Sequence, residues 1–178
     1  MCAGSAHGCS IVSHEVHIED VFSVGRTTFE ALFFDEEFNL AVGESQRLGR
    51  KLIRLDRTSD RIVRHVCFEP DRDPNSPAGQ AFGTTRASFV EELDYDLRAH
   101  RGAWRTIPNL IPERVSNAGT LELVEVPEGT KRIVRGKVTV KLFGFGSLVE
   151  RAVVAEIVKS YQRTTEFTRA WLERSRSA

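Results

Sequence analysis

Three charged residues stand where an alternating strand pattern puts apolar side chains. Asp20 shares its parity with Ile18 and Phe22, Glu91 with Phe89, Leu93 and Tyr95, and Arg64 lies between Ile62 and Val66. A charge turned inward is costly unless it is paired or hydrated. Two readings of these positions compete. In one, the charges line a cavity and hydrogen-bond the polar end of a ligand, because pockets are mostly apolar with a few placed polar groups. In the other, Arg64 pairs with a carboxylate as part of the structure, or a bulge turns the parity outward. Acid–base catalysis would need two such groups within reach of one substrate atom, and no catalytic residue is assigned.

Other chemistry is poorly represented. The five histidines, His7, His14, His17, His65 and His100, form no HExxH pair. His14 and His17 are three apart on one strand, so they point to opposite faces and cannot clasp one metal. Cys2, Cys9 and Cys67 are odd in number, irregular in spacing and free of any CxxC pair. That pattern fits a reducing, cytoplasmic compartment and no structural zinc. No GxSxG, GxxxxGK[ST] or helix-opening GxGxxG occurs, and Gly144 and Gly146 read as a turn before a helix. Neither a metal nor a cofactor is expected.

The 178 residues suit one domain with one core. Hydrophobic residues make up 40% and charged residues 28%, an ordinary globular balance. Lys plus Arg and Asp plus Glu are 25 each. A zero balance argues against a nucleic-acid partner, which needs surplus cations. No apolar run is long enough to span a bilayer. The opening MCAGSAHGCS has neither a basic nor an apolar leader region, so residues 1–12 read as a flexible tail and 13–175 as the domain.

The elements that would hold the inward charges follow from period. Residues 14–24 alternate and form a strand. Thr27 and Glu30 have capping-box spacing and predict a short helix, and 36–44 predict a second. Strands are expected at 48–56, 61–69, 87–97, 104–111, 120–126 and 130–143, with irregular chain at 70–83 and 112–119. From Ser147 to Ser175 the spacing of Val149, Val153, Ile157 and Tyr161, continued by Phe167 and Trp171, predicts one long helix, opened by a Ser147/Glu150 capping box. Its first half is apolar nearly all round and should be buried.

The expected fold class is α+β: a curved antiparallel sheet of about seven strands gripping a long C-terminal helix, with two short helices after the first strand. This order resembles the helix-grip fold of the START-like (SRPBCC) superfamily over about Ser13 to Ser175. The segment GKVTVKLFGFGSLVE and the ending EFTRAWLERS look like an uncharacterised bacterial START-like family. The opening strand, the pair TTFEALFFDEEF and the closing helix are similar to sterol-transfer domains of membrane-contact-site proteins. The resemblance implies a cavity between sheet and helix for a hydrophobic small molecule or lipid, to be bound, sequestered or transferred. The superfamily also contains cyclases, hydrolases and ring-hydroxylating oxygenase subunits, so a cyclase- or hydrolase-type enzyme is the alternative.

Candidate ligand-binding residues are Asp20, Phe33, Phe38, Arg64, Phe89, Glu91, Leu93, Tyr95, Val153 and Ile157. In an up-and-down sheet the turns at 58–60, 98–102 and 127–129 share one end. The opposite end carries apolar residues on longer connections, Phe82, Leu110, Ile111, Phe143 and Phe145, and is the expected mouth, suited to transient contact with a membrane surface. The competing reading is that these residues merely plug that end.

Overall fold

The computed structural model describes residues 11–70, 87–110, 112–141 and 146–177, with side chains described except at 11, 12, 140, 141, 146–154, 156, 176 and 177. In chain order the elements are β1 (Ile11–Phe22), α1 (Arg26–Phe33), α2 (Glu36–Ser45), β2 (Leu48–Arg57), β3 (Arg61–Pro70), β4 (Phe89–Asp96), β5 (Arg101–Pro108), β6 (Val115–Val126), β7 (Gly129–Lys141) and α3 (Gly146–Ser177). The strands form one sheet in the order β1-β7-β6-β5-β4-β3-β2, and every neighbouring pair is antiparallel. β2 to β7 run as a simple meander, and β1 closes beside the last strand. The α+β helix-grip architecture expected from the element order is the one observed.

The core follows one cross-strand row. Ile62, Tyr95, Gly102, Leu121, Val134 and Ile18 face each other in turn across six strands. Around this row Phe22, Phe29, Leu93, Leu123 and Leu172 are buried together, with Phe22 and Phe29 stacked at 4.4 Å. Each fully buried side chain of this kind contributes about 1.5–3 kcal/mol. The row lies toward the end that carries the β2–β3, β4–β5 and β6–β7 turns, which we call the closed end. There α1 lies across the sheet: the Tyr95 hydroxyl donates to Glu30 Oε1 at 2.7 Å, and His100 Nδ1 lies 2.9 Å from the same oxygen.

The C-terminal half of α3 is fixed by α2. Phe38 packs between Phe167 and Trp171, at 6.2 and 5.6 Å between ring centroids. The Gln46 amide donates to Thr164 Oγ1 at 2.7 Å and accepts from Ser160 Oγ at 2.9 Å. This amide clamp lets a polar residue sit under a helix with its hydrogen bonds made.

Three local expectations are corrected. Thr27 does not cap α1; the helix begins at Arg26 behind Gly25, whose carbonyl accepts from Phe29 N–H at 3.0 Å. Glu30 is engaged by Tyr95 instead of closing a capping box. α3 likewise begins at Gly146, ahead of Ser147. Residues 115–119, expected to be irregular, already belong to β6, because its Gly119 faces Gly136 under an aromatic ring. At α2 the cap is Asp35, whose Oδ1 accepts from Phe38 N–H at 2.7 Å.

Candidate functional site

Two further rows lie beside the core row, away from the closed end. The nearer consists of Arg64, Leu93, Trp104, Gly119, Gly136 and Val16. The next consists of Val66, Glu91, Thr106, Asn117, Val138 and His14. Beyond them Phe68 and Phe89 stack at 5.3 Å, opposite Pro108. The inner face thus changes from apolar to mixed within two residue steps of the core. On this face Ile157 of α3 packs against Val16 and Val138.

Arg64 is 7% exposed. Its Nη2 lies 3.5 Å from Glu91 Oε1, and its Nη1 donates to the Phe33 carbonyl at 3.4 Å. The rings of Phe33 and Phe34 flank the guanidinium at 5.2 and 5.6 Å. Both hydrogen bonds sit at the outer limit of useful geometry, and Nε has no partner among the described residues. Burial pulls its pKa below the ordinary arginine value; Glu91 opposes that shift and nearby Arg50 adds to it. Arg50 is itself buried and pairs with Glu36, and its Nη2 has no partner among the described residues.

Trp104 lies over the only place in the row where two facing residues lack side chains. A Cβ on Gly136 would stand 2.8 Å from Trp104 Cζ2 and 3.0 Å from Cη2, and one on Gly119 would meet Cζ2 at 2.7 Å. The glycine pair is therefore a bed for the indole. Trp104 Nε1 and Asn117 Oδ1 are buried without a hydrogen-bond partner among the described residues. Thr106 Oγ1 makes only a 3.5 Å contact to the Asn117 carbonyl.

The closed end treats a comparable charge differently. Arg132, 4% exposed, donates from Nη2 to Asp20 Oδ2 at 2.7 Å and to Thr165 Oγ1 at 2.9 Å. Phe22 and Tyr161 flank it at 5.3 and 5.8 Å, although its Nε is unpartnered among the described residues. Burial raises the Tyr161 phenol well above its ordinary pKa, as burial and then the Glu30 carboxylate do for Tyr95.

Of the residues singled out from sequence, Arg64, Glu91, Leu93, Phe89 and Ile157 fall on or against the two mixed rows, and Phe33 flanks Arg64. Asp20 is held by Arg132, Tyr95 by Glu30, and Phe38 sits between α2 and α3. Leu110 is half-buried just beyond β5. Phe82, Ile111, Phe143, Phe145 and the side chain of Val153 lie outside the described residues. Sequence reasoning missed Arg50, Trp104, Thr106, Asn117 and Arg132. Gly136 within an expected strand was the one available signal for the Trp104 bed, since Gly119 reads as loop from sequence.

A groove of about 750 Å³ also lies on the outer face, lined by residues including Arg61, Asp94, Arg98, Glu122 and Arg135. Its charges pair with one another, as Arg61–Asp94, Arg98–Asp60 and Arg135–Glu122, and it lies on the opposite face from Arg64. The inner face is the better candidate for that reason. Among the described residues no helix is long and apolar enough to cross a membrane, and no cluster of three or more His, Cys, Asp or Glu is placed to hold a metal ion.

The fold recurs in solved structures. TTHA0849 from Thermus thermophilus is 16% identical, with a TM-score of 0.61, and the match covers 88% of this chain and 98% of that one. The Zhui aromatase/cyclase from Streptomyces sp. R1128 is 10% identical, TM-score 0.59, covering 93% and 95%. SA2116 of Staphylococcus aureus, a protein of unknown function, is 10% identical, TM-score 0.62, covering 94% and 98%. At these identities the likeness establishes the fold alone. No curated protein matches the chain. The model of DUF2505, described as a protein of unknown function, matches residues 77–172, more than half of the chain, and the protein belongs to that family.

Proposed function

We propose that the protein binds, sequesters or transfers a hydrophobic small molecule or lipid, sterol-like molecules among them, between the inner face of the sheet and α3. The observation that carries this reading is Arg64: a buried guanidinium with two long hydrogen bonds and an unpartnered Nε, set between the rings of Phe33 and Phe34. An acceptor oxygen on a ligand would complete it, and ligand carbon would cover the half-buried Phe89 and Ile157 at about 25 cal/mol per Å² buried. The fold shared with an aromatase/cyclase is compatible with such a ligand.

The test is ligand-induced stabilisation with sterol, fatty-acid and fused-ring aromatic probes. A ligand at about 100 times its Kd raises stability by about 2.7 kcal/mol. We expect at least one probe class to raise the melting temperature of the parent, and Arg64→Met to lose that rise while melting like the parent. If no class shifts the parent, or if Arg64→Met collapses on its own, the anchoring role of Arg64 is wrong. Entry is assigned to the end beyond Phe68, Phe89 and Leu110, with a transient membrane contact there; Leu110→Ser should slow uptake from phosphatidylcholine liposomes without unfolding. Unchanged uptake kinetics would remove the mouth from that end.

A second reading has one observation behind it. Glu91 Oε1 stands 3.5 Å from Arg64 on the ligand-facing wall, a carboxylate beside a cation as a cyclase- or hydrolase-type enzyme would need. Glu91→Gln separates the two: loss of turnover with binding retained selects the enzyme, and no turnover in the parent selects the carrier.

A further inference from the structure

The inner wall carries a second polar position, separate from Arg64, and it restricts the ligand class. Trp104 and Asn117 are diagonal neighbours on β5 and β6, since Trp104 faces Gly119 and Thr106 faces Asn117. Such neighbours stand about 7–8 Å apart at their backbones, within reach of long or aromatic side chains. The indole N–H is donor only, and an amide offers both a donor and an acceptor whichever way it is turned. Both groups have a buried atom without a partner among the described residues. A buried polar group without a partner is costly, so each of these atoms gains by meeting one. The fold also gives up two side chains, at Gly119 and Gly136, to seat this indole. Packing alone would be served as well by a ring with no N–H to satisfy.

We propose that Trp104 and Asn117 form a subsite for a second oxygen function of the ligand, a hydroxyl that accepts from the indole N–H and donates to the Asn117 amide oxygen. This rests on the binding reading above, in which Arg64 holds the first. Arg64 and Trp104 share one row two strands apart, about 10 Å between backbones. The ligand class is therefore one with hydrogen-bonding oxygens at two separated positions, as a fused-ring hydroxy acid carries them. A fatty-acyl chain with one polar end would leave this subsite unmet.

Two commercial probes test the point, 2-naphthoic acid and 6-hydroxy-2-naphthoic acid, which differ by one hydroxyl at the far end of the ring pair. Binding is read by calorimetry and by Trp104 emission in a Trp171→Phe background, where Trp104 is the sole tryptophan. The parent should bind the hydroxylated acid about tenfold tighter. Trp104→Phe keeps an aromatic ring, though a smaller one, and removes the N–H; Asn117→Leu removes the amide and serves should the first variant fold poorly. Either should reduce the preference to within about twofold, with affinity for 2-naphthoic acid unchanged. One-to-one binding of both acids with no preference overturns the subsite and leaves the binding reading standing. A preference that survives both substitutions also overturns it. Failure of both acids to bind the parent overturns the subsite, and the sterol, fatty-acid and fused-ring probes then decide the binding reading.

Discussion

Arg132 and Arg64 are buried on the same face of the same sheet, each flanked by two aromatic rings, and they are held differently. Arg132 sits at the closed end with a carboxylate at 2.7 Å and a hydroxyl at 2.9 Å. Arg64 sits toward the open end with partners at 3.5 and 3.4 Å. Position explains the difference. Arg132 lies directly across the strand pair from Asp20, and α3 presents Thr165 from above. Arg64 lies across from Leu93 and must reach one residue pair along the strand to find Glu91. The tight pairing of Arg132 suits a structural role, and the loose pairing of Arg64 is the observation on which the proposed ligand contact rests.

The largest expected effect falls on the closed end. Asp20→Ala leaves Arg132 buried without its carboxylate and should cost about 3–5 kcal/mol in urea unfolding. Replacing both, with Asp20→Leu and Arg132→Met, should recover most of that loss. A single-variant cost below about 1 kcal/mol would remove the contrast between the two ends.

Next comes the bed of Trp104. A Cβ on Gly119 would overlap the Arg135 carbonyl and crowd the indole, so Gly119→Ala should cost about 1–3 kcal/mol in a thermal melt and shift Trp104 emission. A silent substitution would mean that the ring does not depend on the glycine pair.

Arg64→Met should change stability by less than about 1 kcal/mol, because its two hydrogen bonds are long and a methionine fills similar volume. A cost as large as that of Asp20→Ala would make Arg64 a second structural pair.

The smallest effect belongs to the outer face. The Arg61 guanidinium beside Asp94 holds that carboxyl below its ordinary pKa. A depressed acid stabilises the fold fully above its unfolded value, about 3.9, and the gain is lost as pH falls through the lower folded value. Asp94→Asn should therefore be slightly destabilising at pH 7, and the penalty should shrink as pH falls below the unfolded value and as salt is added. An effect that persists at low pH would have a cause other than charge.

Period-two alternation made Asp20, Arg64 and Glu91 legible as inward residues, since parity needs no knowledge of strand partners. Which of them would be firmly paired depends on register. Nothing local says that residue 20 faces residue 132 or that 64 faces 93. The Trp104 bed was hidden for the same reason: Gly119 and Gly136 are 17 positions apart and become a unit only when β6 pairs with β7. Asn117 and Gly119 read as loop residues until that pairing recruits them into β6. Arg132 shares its parity with Val138 and was still missed, because its role lies in the contacts with Asp20 and Thr165 that only the fold brings together.

Native mass spectrometry of protein purified gently, without detergent, asks whether a ligand completes the loosely held polar positions beside Arg64 and Trp104. The expected result is a one-to-one complex with a small hydrophobic molecule, released on denaturation, weakened by Arg64→Met and by Asn117→Leu, and retained in the exposed control Leu40→Ser. Bare protein, even after incubation with the sterol, fatty-acid and fused-ring probes, would overturn the proposal that this face binds a ligand.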